Sequence, residues 1–103
     1  MRDVYRALSD PTRRSIISLL RKRDLSAGEI AAHFSVSKPT LSQHFTVLKE
    51  ARLIEGRRAG TTIIYTLNVS VLEDALSHLL DAFKINPRAK TSKKIAHATA
   101  ISI

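Results

Sequence analysis

The side chains best suited to chemistry lie in residues 37–46, where hydroxyls, an amide and a cation follow one another closely. Leu41, Phe45 and Leu48 have the i, i+4, i+7 spacing of a helix side that packs inward. The other positions are small or polar: Ser37, Lys38, Pro39, Thr40, Ser42, Gln43 and Thr46. A glutamine amide can pair with an adenine edge, and a lysine can reach a guanine or a phosphate. The segment therefore predicts a helix that enters the major groove of DNA.

A second group of candidate residues follows in residues 53–67, which are rich in β-branched side chains around the sequence RRAG at 57–60. This pattern predicts a two-stranded hairpin with a basic tip. Arg57, Arg58 and Thr61 would then meet backbone phosphates or an adjacent minor groove. A charged hairpin tip is more often simply solvated. A hairpin directly after a helix-turn-helix, however, has the order of elements of a winged helix, which favours the DNA role.

Capping signals mark the elements that position these residues. Asp10-Pro11, the Ser26–Glu29 pair, Ser37 and the Ser70–Glu73 pair each have the spacing that opens a helix. The predicted helices cover residues 3–9, 11–23, 26–34, 38–51 and 70–83. The predicted fold is mainly α with a small β-hairpin. It is a winged helix-turn-helix with about five helices, a two-stranded antiparallel wing and dimer helices at both ends.

The charge of the 103-residue chain points to a polyanionic partner. Its formal net charge is +8, and residues 84–103 contain five Lys or Arg residues and no acid. Such an excess favours nucleic acid or an anionic membrane surface. We predict one DNA-binding and dimerisation domain over residues 1–83, followed by a basic, largely disordered tail over 84–103.

Composition also argues against several classes of protein. The chain has no cysteine, which excludes a thiolate metal site and a cysteine nucleophile, and its three glycines leave no phosphate-binding loop. We therefore expect no catalytic residues, no cofactor, no bound metal and no small-molecule substrate. The first residues lack the apolar stretch of a signal peptide, and no apolar run is long enough to span a membrane. These patterns predict a soluble, cytoplasmic protein.

Two stretches, ALSDPTRRSIISLL and LSAGEIAAHFSVSKPTLSQHFTVLKEARLIEGRRAGTTIIYTL, resemble the ArsR (SmtB-type) winged-helix repressors. The resemblance covers residues 3–83. It implies a homodimer, built from the first and last helices, that reads an imperfect inverted repeat. It places base contacts near Lys38, Pro39, Ser42 and Gln43. His44 matches a recurrent histidine of that family, for which a phosphate or structural role is as plausible as base reading.

The predicted dimer helix carries one apolar stripe, formed by Leu72, Leu76, Leu79, Leu80 and Phe83, and Val4, Tyr5 and Leu8 of the first helix would join it. Such a stripe could instead be covered by the core of its own chain. The small size of the domain favours a second copy, because small domains bury a smaller share of their surface.

An effector site is the feature that the sequence supports least. Family sensors of the thiolate type carry cysteines in the helix before the recognition helix. This chain has no cysteine in that helix. Asp74, His78 and Asp81 share one helix side but do not match the spacing of the zinc-type sensors.

The chain instead resembles the metal-independent autorepressors of the sporulation-delay immunity type. That resemblance implies repression of its own operon, relieved by sequestration at a membrane partner. Two alternatives stay open. One is a metal- or ligand-responsive sensor with a site that uses no cysteine, and the other is a non-specific nucleic-acid packaging protein that binds through its basic tail.

Overall fold

The computed structural model describes residues 1–86 as five helices and three strands. The helices are α1 (Arg2–Leu8), α2 (Pro11–Lys22), α3 (Ala27–Ala31), α4 (Lys38–Glu50) and α5 (Val69–Ala82), and the strands are β1 (Leu25–Ser26), β2 (Ile54–Ala59) and β3 (Thr62–Leu67). The predicted fold class is confirmed. The chain forms two compact units, one of residues 1–73 and a second that begins at residue 74. Most of the predicted tail lies outside the described residues, so the predicted boundary at residue 83 stays a prediction.

Three of the predicted caps form as expected, because each depends only on residues three positions apart. The Asp10 carboxylate accepts a hydrogen bond from the Arg13 amide at 3.1 Å. Ser26 and Glu29 form a reciprocal capping box, with distances of 3.0 and 2.8 Å. The Ser37 hydroxyl accepts from the Thr40 amide at 3.3 Å and opens α4. Each cap satisfies amide groups that have no partner inside the helix.

Two helix boundaries differ from the predicted ones. Helix α3 ends at Ala31 rather than at residue 34, because the amides of His33 and Phe34 donate three residues back in a tighter turn. The capping box predicted at Ser70 and Glu73 is wrong, because α5 already begins at Val69. The amide of Leu72 donates to the Asn68 carbonyl, two residues before the first such bond of a helix capped by Ser70.

The sheet has one more strand than the predicted hairpin. Its order is β1-β3-β2, and both pairings are antiparallel. Leu25 pairs with Tyr65, and Ile54 to Ala59 pair with Leu67 to Thr62. The added strand β1 has two residues, too few to show the alternation by which a strand is recognised in a sequence. Because β1 runs directly into α3, it ties the start of the helix-turn-helix to the wing.

The core of residues 1–73 collects the inward sides of the helices around this sheet. Helix α4 packs on α1, α2 and β2. The buried apolar side chains are Val4, Ala7, Ile16, Ile17, Leu20, Leu25, Ile30, Leu41, Phe45, Val47, Leu48, Ala51, Leu53, Ile54 and Tyr65. Val4 is thus buried within its own chain, and its predicted place in a dimer interface stays a prediction. Tyr5 and Leu8 are only half-buried.

Helix α5 carries a mixed apolar side. Ala75 is fully buried, and Leu72 and Leu80 are half-buried. Leu76, Leu79 and Phe83 are 47, 43 and 70% exposed. Within residues 1–86, the structure contains no helix with the length and apolar character needed to cross a membrane.

The cap at Asp10 yields a stability prediction. The hydrogen bond from the Arg13 amide lowers the pKa of Asp10 below its ordinary value of 3.8. The stabilisation from the ionised carboxylate is therefore fully present above pH 3.8 and is lost as the pH falls through the lower pKa of the folded state. Asp10→Ala should lower the free energy of unfolding by about 1 kcal/mol at neutral pH.

Urea denaturation across a pH series measures this effect. The difference between wild type and Asp10→Ala should shrink as the pH falls below 3.8. Asp10→Asn is the matched control, since asparagine also caps helices well. A deficit in Asp10→Ala that is the same at every pH would show that the ionised carboxylate does not supply the stabilisation.

Candidate nucleic-acid interface

The apolar and the polar side chains of helix α4 lie on opposite sides of the helix. The predicted inward residues Leu41, Phe45 and Leu48 are all buried, and Val47, which the spacing argument missed, is buried as well. Ser37 caps the helix, and a proline in its first turn costs no hydrogen bond there. The helix is therefore held by its apolar side, and the opposite side is left to water.

The exposed side of α4 gathers nearly all the predicted contact residues. Ser37, Lys38, Pro39, Thr40, Ser42, Gln43 and Thr46 are all exposed. Some of their polar groups are already used. The Ser37 hydroxyl donates to Thr40 Oγ1 at 2.9 Å, and the Thr46 hydroxyl donates to the Ser42 carbonyl at 3.1 Å.

Three side chains on this side keep their hydrogen-bonding capacity. Within residues 1–86, the side chains of Lys38, Ser42 and Gln43 have no hydrogen bond or ion pair to another residue. They lie in the first half of α4, at i, i+4 and i+5. A cation, a hydroxyl and an amide on one exposed surface can bind the acceptors and donors of base edges and phosphates.

His44 differs from its neighbours because it is partly buried, with 13% of its side chain exposed. Its Nδ1 lies 3.1 Å from the NH1 group of Arg13 and 3.9 Å from the Asp10 carboxylate. Both partners belong to the start of α2. Arg13 was not a predicted site residue, and no local pattern could have indicated it, since the two residues are 31 positions apart.

The wing places its two arginines differently from the predicted basic tip. Arg57 and Arg58 are exposed but lie within β2, where they pair with Ile64 and Ile63, while Gly60 and Thr61 form the turn. Neighbouring residues of a strand point to opposite faces. Arg58 therefore shares a face with Tyr65, and Arg57 lies on the other face. Gly60 adopts a φ of +65°, a conformation that glycine reaches without strain.

An aromatic contact joins the wing to α4. The rings of Phe45 and Tyr65 stack with centroids 4.8 Å apart and an angle of 29° between their planes. Burial raises the pKa of the Tyr65 hydroxyl. The Tyr65 ring also lies over Gly56 of the neighbouring strand, where an added Cβ would come within 3.0 Å of Tyr65 Cε1 and of Ile63 Cγ2. The absence of a side chain at Gly56 thus permits the contact that fixes the wing to α4.

The described residues contain no cluster suited to a metal ion. Within residues 1–86, no group of three or more His, Cys, Asp or Glu side chains comes together in a ligating arrangement. Asp74, His78 and Asp81 are exposed along α5. The absence of a metal effector stays a prediction.

Comparisons with known proteins agree with this geometry. Residues 10–55 match the family model of the bacterial regulatory proteins of the arsR family. The chain is 47% identical over 81 residues to the transcriptional repressor SdpR of Bacillus subtilis, covering 79% of this chain and 90% of that protein.

Two further proteins give the same result. The HTH-type transcriptional regulator Rv2034 of Mycobacterium tuberculosis is 46% identical over 79 residues, or 77% of this chain and 73% of that one. The solved structure of an ArsR-like transcriptional regulator from Rhodococcus sp. RHA1 superposes with a TM-score of 0.71 at 27% identity, covering 97% of this chain and 87% of that one. These relatives are regulators and not enzymes.

The contact between Gly56 and Tyr65 yields a prediction. Gly56→Ala should lower the free energy of unfolding by about 1–3 kcal/mol, because the added methyl group forces the Tyr65 ring out of place. Gly28→Ala is the matched control, since the Cβ there would have one contact at 3.9 Å. That variant should be neutral, or more stable by about 0.5–1 kcal/mol, because alanine favours a helix. Equal stability of the two variants in thermal denaturation would contradict the assigned role of Gly56.

Proposed function

The chain belongs to the ArsR family of bacterial DNA-binding transcriptional regulators, and on that premise we propose that it is a repressor that binds an inverted-repeat operator as a homodimer. The observation that carries the proposal is the exposed side of α4, where Lys38, Ser42 and Gln43 have no partner within residues 1–86. The strong similarity to a repressor, SdpR, supports repression rather than activation.

In this proposal, the first half of α4 enters the major groove, which is about 12 Å wide and admits a helix. Gln43 pairs with an adenine edge, and Lys38 reaches a guanine or a phosphate. The other contact residues have small side chains, so the helix can approach the bases closely. These residues are Ser37, Pro39, Thr40, Ser42 and Thr46. His44 lies at the edge of this surface.

The wing adds contacts outside the major groove. Because Arg57 and Arg58 lie on opposite faces of β2, one strand can present a guanidinium to each side of the hairpin. We propose that they and Thr61 meet backbone phosphates or the adjacent minor groove. Phosphate contacts of this kind hold the protein in register but carry no sequence information directly.

The dimer part of the proposal depends on α5. Leu76, Leu79 and Phe83 recur at i, i+3 and i+7 and are strongly exposed for large apolar side chains. A second copy that covers this surface would remove it from water, as expected for a small domain. Leu72 and Leu80 flank it on the same helix, and Tyr5 and Leu8 of α1 are further half-buried candidates. A two-fold dimer would match an operator of two inverted half-sites.

Regulation is proposed to need no metal. The chain has no cysteine, and no cluster of three ligating side chains forms within residues 1–86. We propose that the protein acts in the cytoplasm, represses its own operon, and is released from DNA by sequestration at a membrane partner. A ligand-responsive sensor with a non-cysteine site is the alternative.

DNA recognition yields the first test. The full chain should bind the inverted repeat upstream of its own gene more tightly than scrambled DNA, and the affinity should fall steeply with salt as counterions are released. Gln43→Ala should cost about 1–3 kcal/mol at a single base position. Fluorescence anisotropy with single-base variants of the operator measures this loss. Glu50→Ala, an exposed change in the last turn of the same helix, should leave base discrimination unchanged. Equal affinity for scrambled DNA would reject sequence-specific repression.

The dimer surface yields the second test. Leu79→Glu places a charge in the middle of the exposed apolar side of α5, and burial of an unpaired charge is strongly unfavourable. Sedimentation equilibrium should therefore show a monomer for Leu79→Glu at concentrations at which wild type is a dimer. Ser77→Glu, which adds the same charge at an exposed polar position of the helix, should remain a dimer. A monomeric wild type, or a dimer that tolerates Leu79→Glu, would exclude this interface.

A further inference from the structure

Arg13 links three segments of the fold through one guanidinium group. Its Nε donates to the Ala7 carbonyl at 2.8 Å and its NH2 group donates to the Arg6 carbonyl at 3.1 Å, so it closes the last turn of α1. Its NH1 group lies 3.1 Å from Nδ1 of His44 in α4. Its own amide is held by the Asp10 carboxylate. Arg13 is thus fixed at several points and has one contact to α4.

The contact between Arg13 and His44 determines where the imidazole carries its proton. A guanidinium has donors and no acceptor, so Nδ1 of His44 must accept the hydrogen bond. A neutral imidazole has one donor and one acceptor nitrogen, and the proton therefore sits on Nε2. The Asp10 carboxylate, 3.9 Å from Nδ1, is beyond hydrogen-bond distance.

His44 and Arg13 also line a cleft that opens to solvent beside α4. The cleft has a volume of about 310 Å³ and is bounded by Arg13, Pro39, Thr40, Gln43 and His44. Three of these residues, Pro39, Thr40 and Gln43, belong to the proposed contact surface of α4. A donor at Nε2 would therefore lie next to the residues that approach DNA.

We propose that Arg13 is a positioning residue for DNA binding. It fixes the ring of His44, and with it the first half of α4, so that Nε2–H of His44 donates to a phosphate of the DNA backbone. This inference rests on the proposed function, since it assumes that α4 approaches DNA. The start of α2 thereby becomes part of the interface, because Arg13 acts through His44.

A neighbouring arginine provides a matched control for the charge of Arg13. Arg14 lies on the same helix and also donates to α1, from NH1 to the Leu8 carbonyl at 2.9 Å. Within residues 1–86, its side chain makes no hydrogen bond to α4. Arg13→Gln and Arg14→Gln each remove one positive charge and the side-chain hydrogen bonds to α1, of which Arg13 makes two and Arg14 one. Of the two variants, Arg13→Gln alone also removes the contact to His44.

The first experiment compares operator binding by the full-length variants. Arg13→Gln should bind the operator roughly tenfold more weakly than wild type, and adding His44→Ala should cause little further loss, because the two residues act as one unit. Arg13→Lys should not restore binding, since an ammonium group cannot reproduce the planar set of donors. Arg14→Gln should stay within about twofold of wild type. Arg13→Gln and Arg14→Gln with equal affinities, or additive losses in the double variant, would overturn the inference.

The second experiment needs no DNA and remains informative if Arg13→Gln folds poorly. Long-range ¹H–¹⁵N spectra of the imidazole report which ring nitrogen is protonated. Neutral His44 should be a single Nε2–H tautomer in wild type and in Arg14→Gln, and a mixture in Arg13→Gln. A wild-type Nδ1–H tautomer would refute the positioning role. Failure of wild type to bind any operator would instead refute the proposed function, whereas the tautomer measurement still decides how Arg13 acts on His44.

Discussion

The burial of one side of α4 is the constraint on which the rest of the interface depends. Leu41, Phe45 and Leu48 enter the core, and this fixes the rotation of the helix about its axis. Lys38, Ser42 and Gln43 face water as a direct consequence. Apolar burial supplies the free energy for this orientation, while the exposed residues contribute little to stability. The core and the contact surface can therefore be altered separately, apart from the few residues that join them.

Two of the contacts between α4 and its neighbours differ in chemistry. Phe45 stacks on Tyr65 and ties the helix to the wing, which requires a glycine at position 56. The Arg13–His44 contact ties the helix to the start of α2. An apolar contact has little directional preference, whereas a guanidinium–imidazole contact sets the orientation of a ring and the position of a proton. Together they orient the helix and the wing as one surface within residues 1–73.

Local signals predicted much of this fold, and non-local pairing explains what they missed. The caps at Asp10, Ser26 and Ser37 depend on neighbours three positions away, so they could be predicted from the sequence. The strand β1 exists because Leu25 meets Tyr65, 40 positions later in the chain, and two residues show no alternation.

Within the site, the exposed residues of α4 followed from helical spacing alone, whereas the Arg13–His44 contact needed the packed structure. The hairpin pattern indicated a basic wing but not which face each arginine occupies, because that depends on register.

The most direct measurement is a series of ¹H–¹⁵N spectra of the full chain during titration with operator DNA. The amide signals of residues 38, 40–46 and 57–61 should shift. Shifts confined to residues 84–103, with α4 unchanged, would contradict this prediction and favour packaging of DNA by the basic tail.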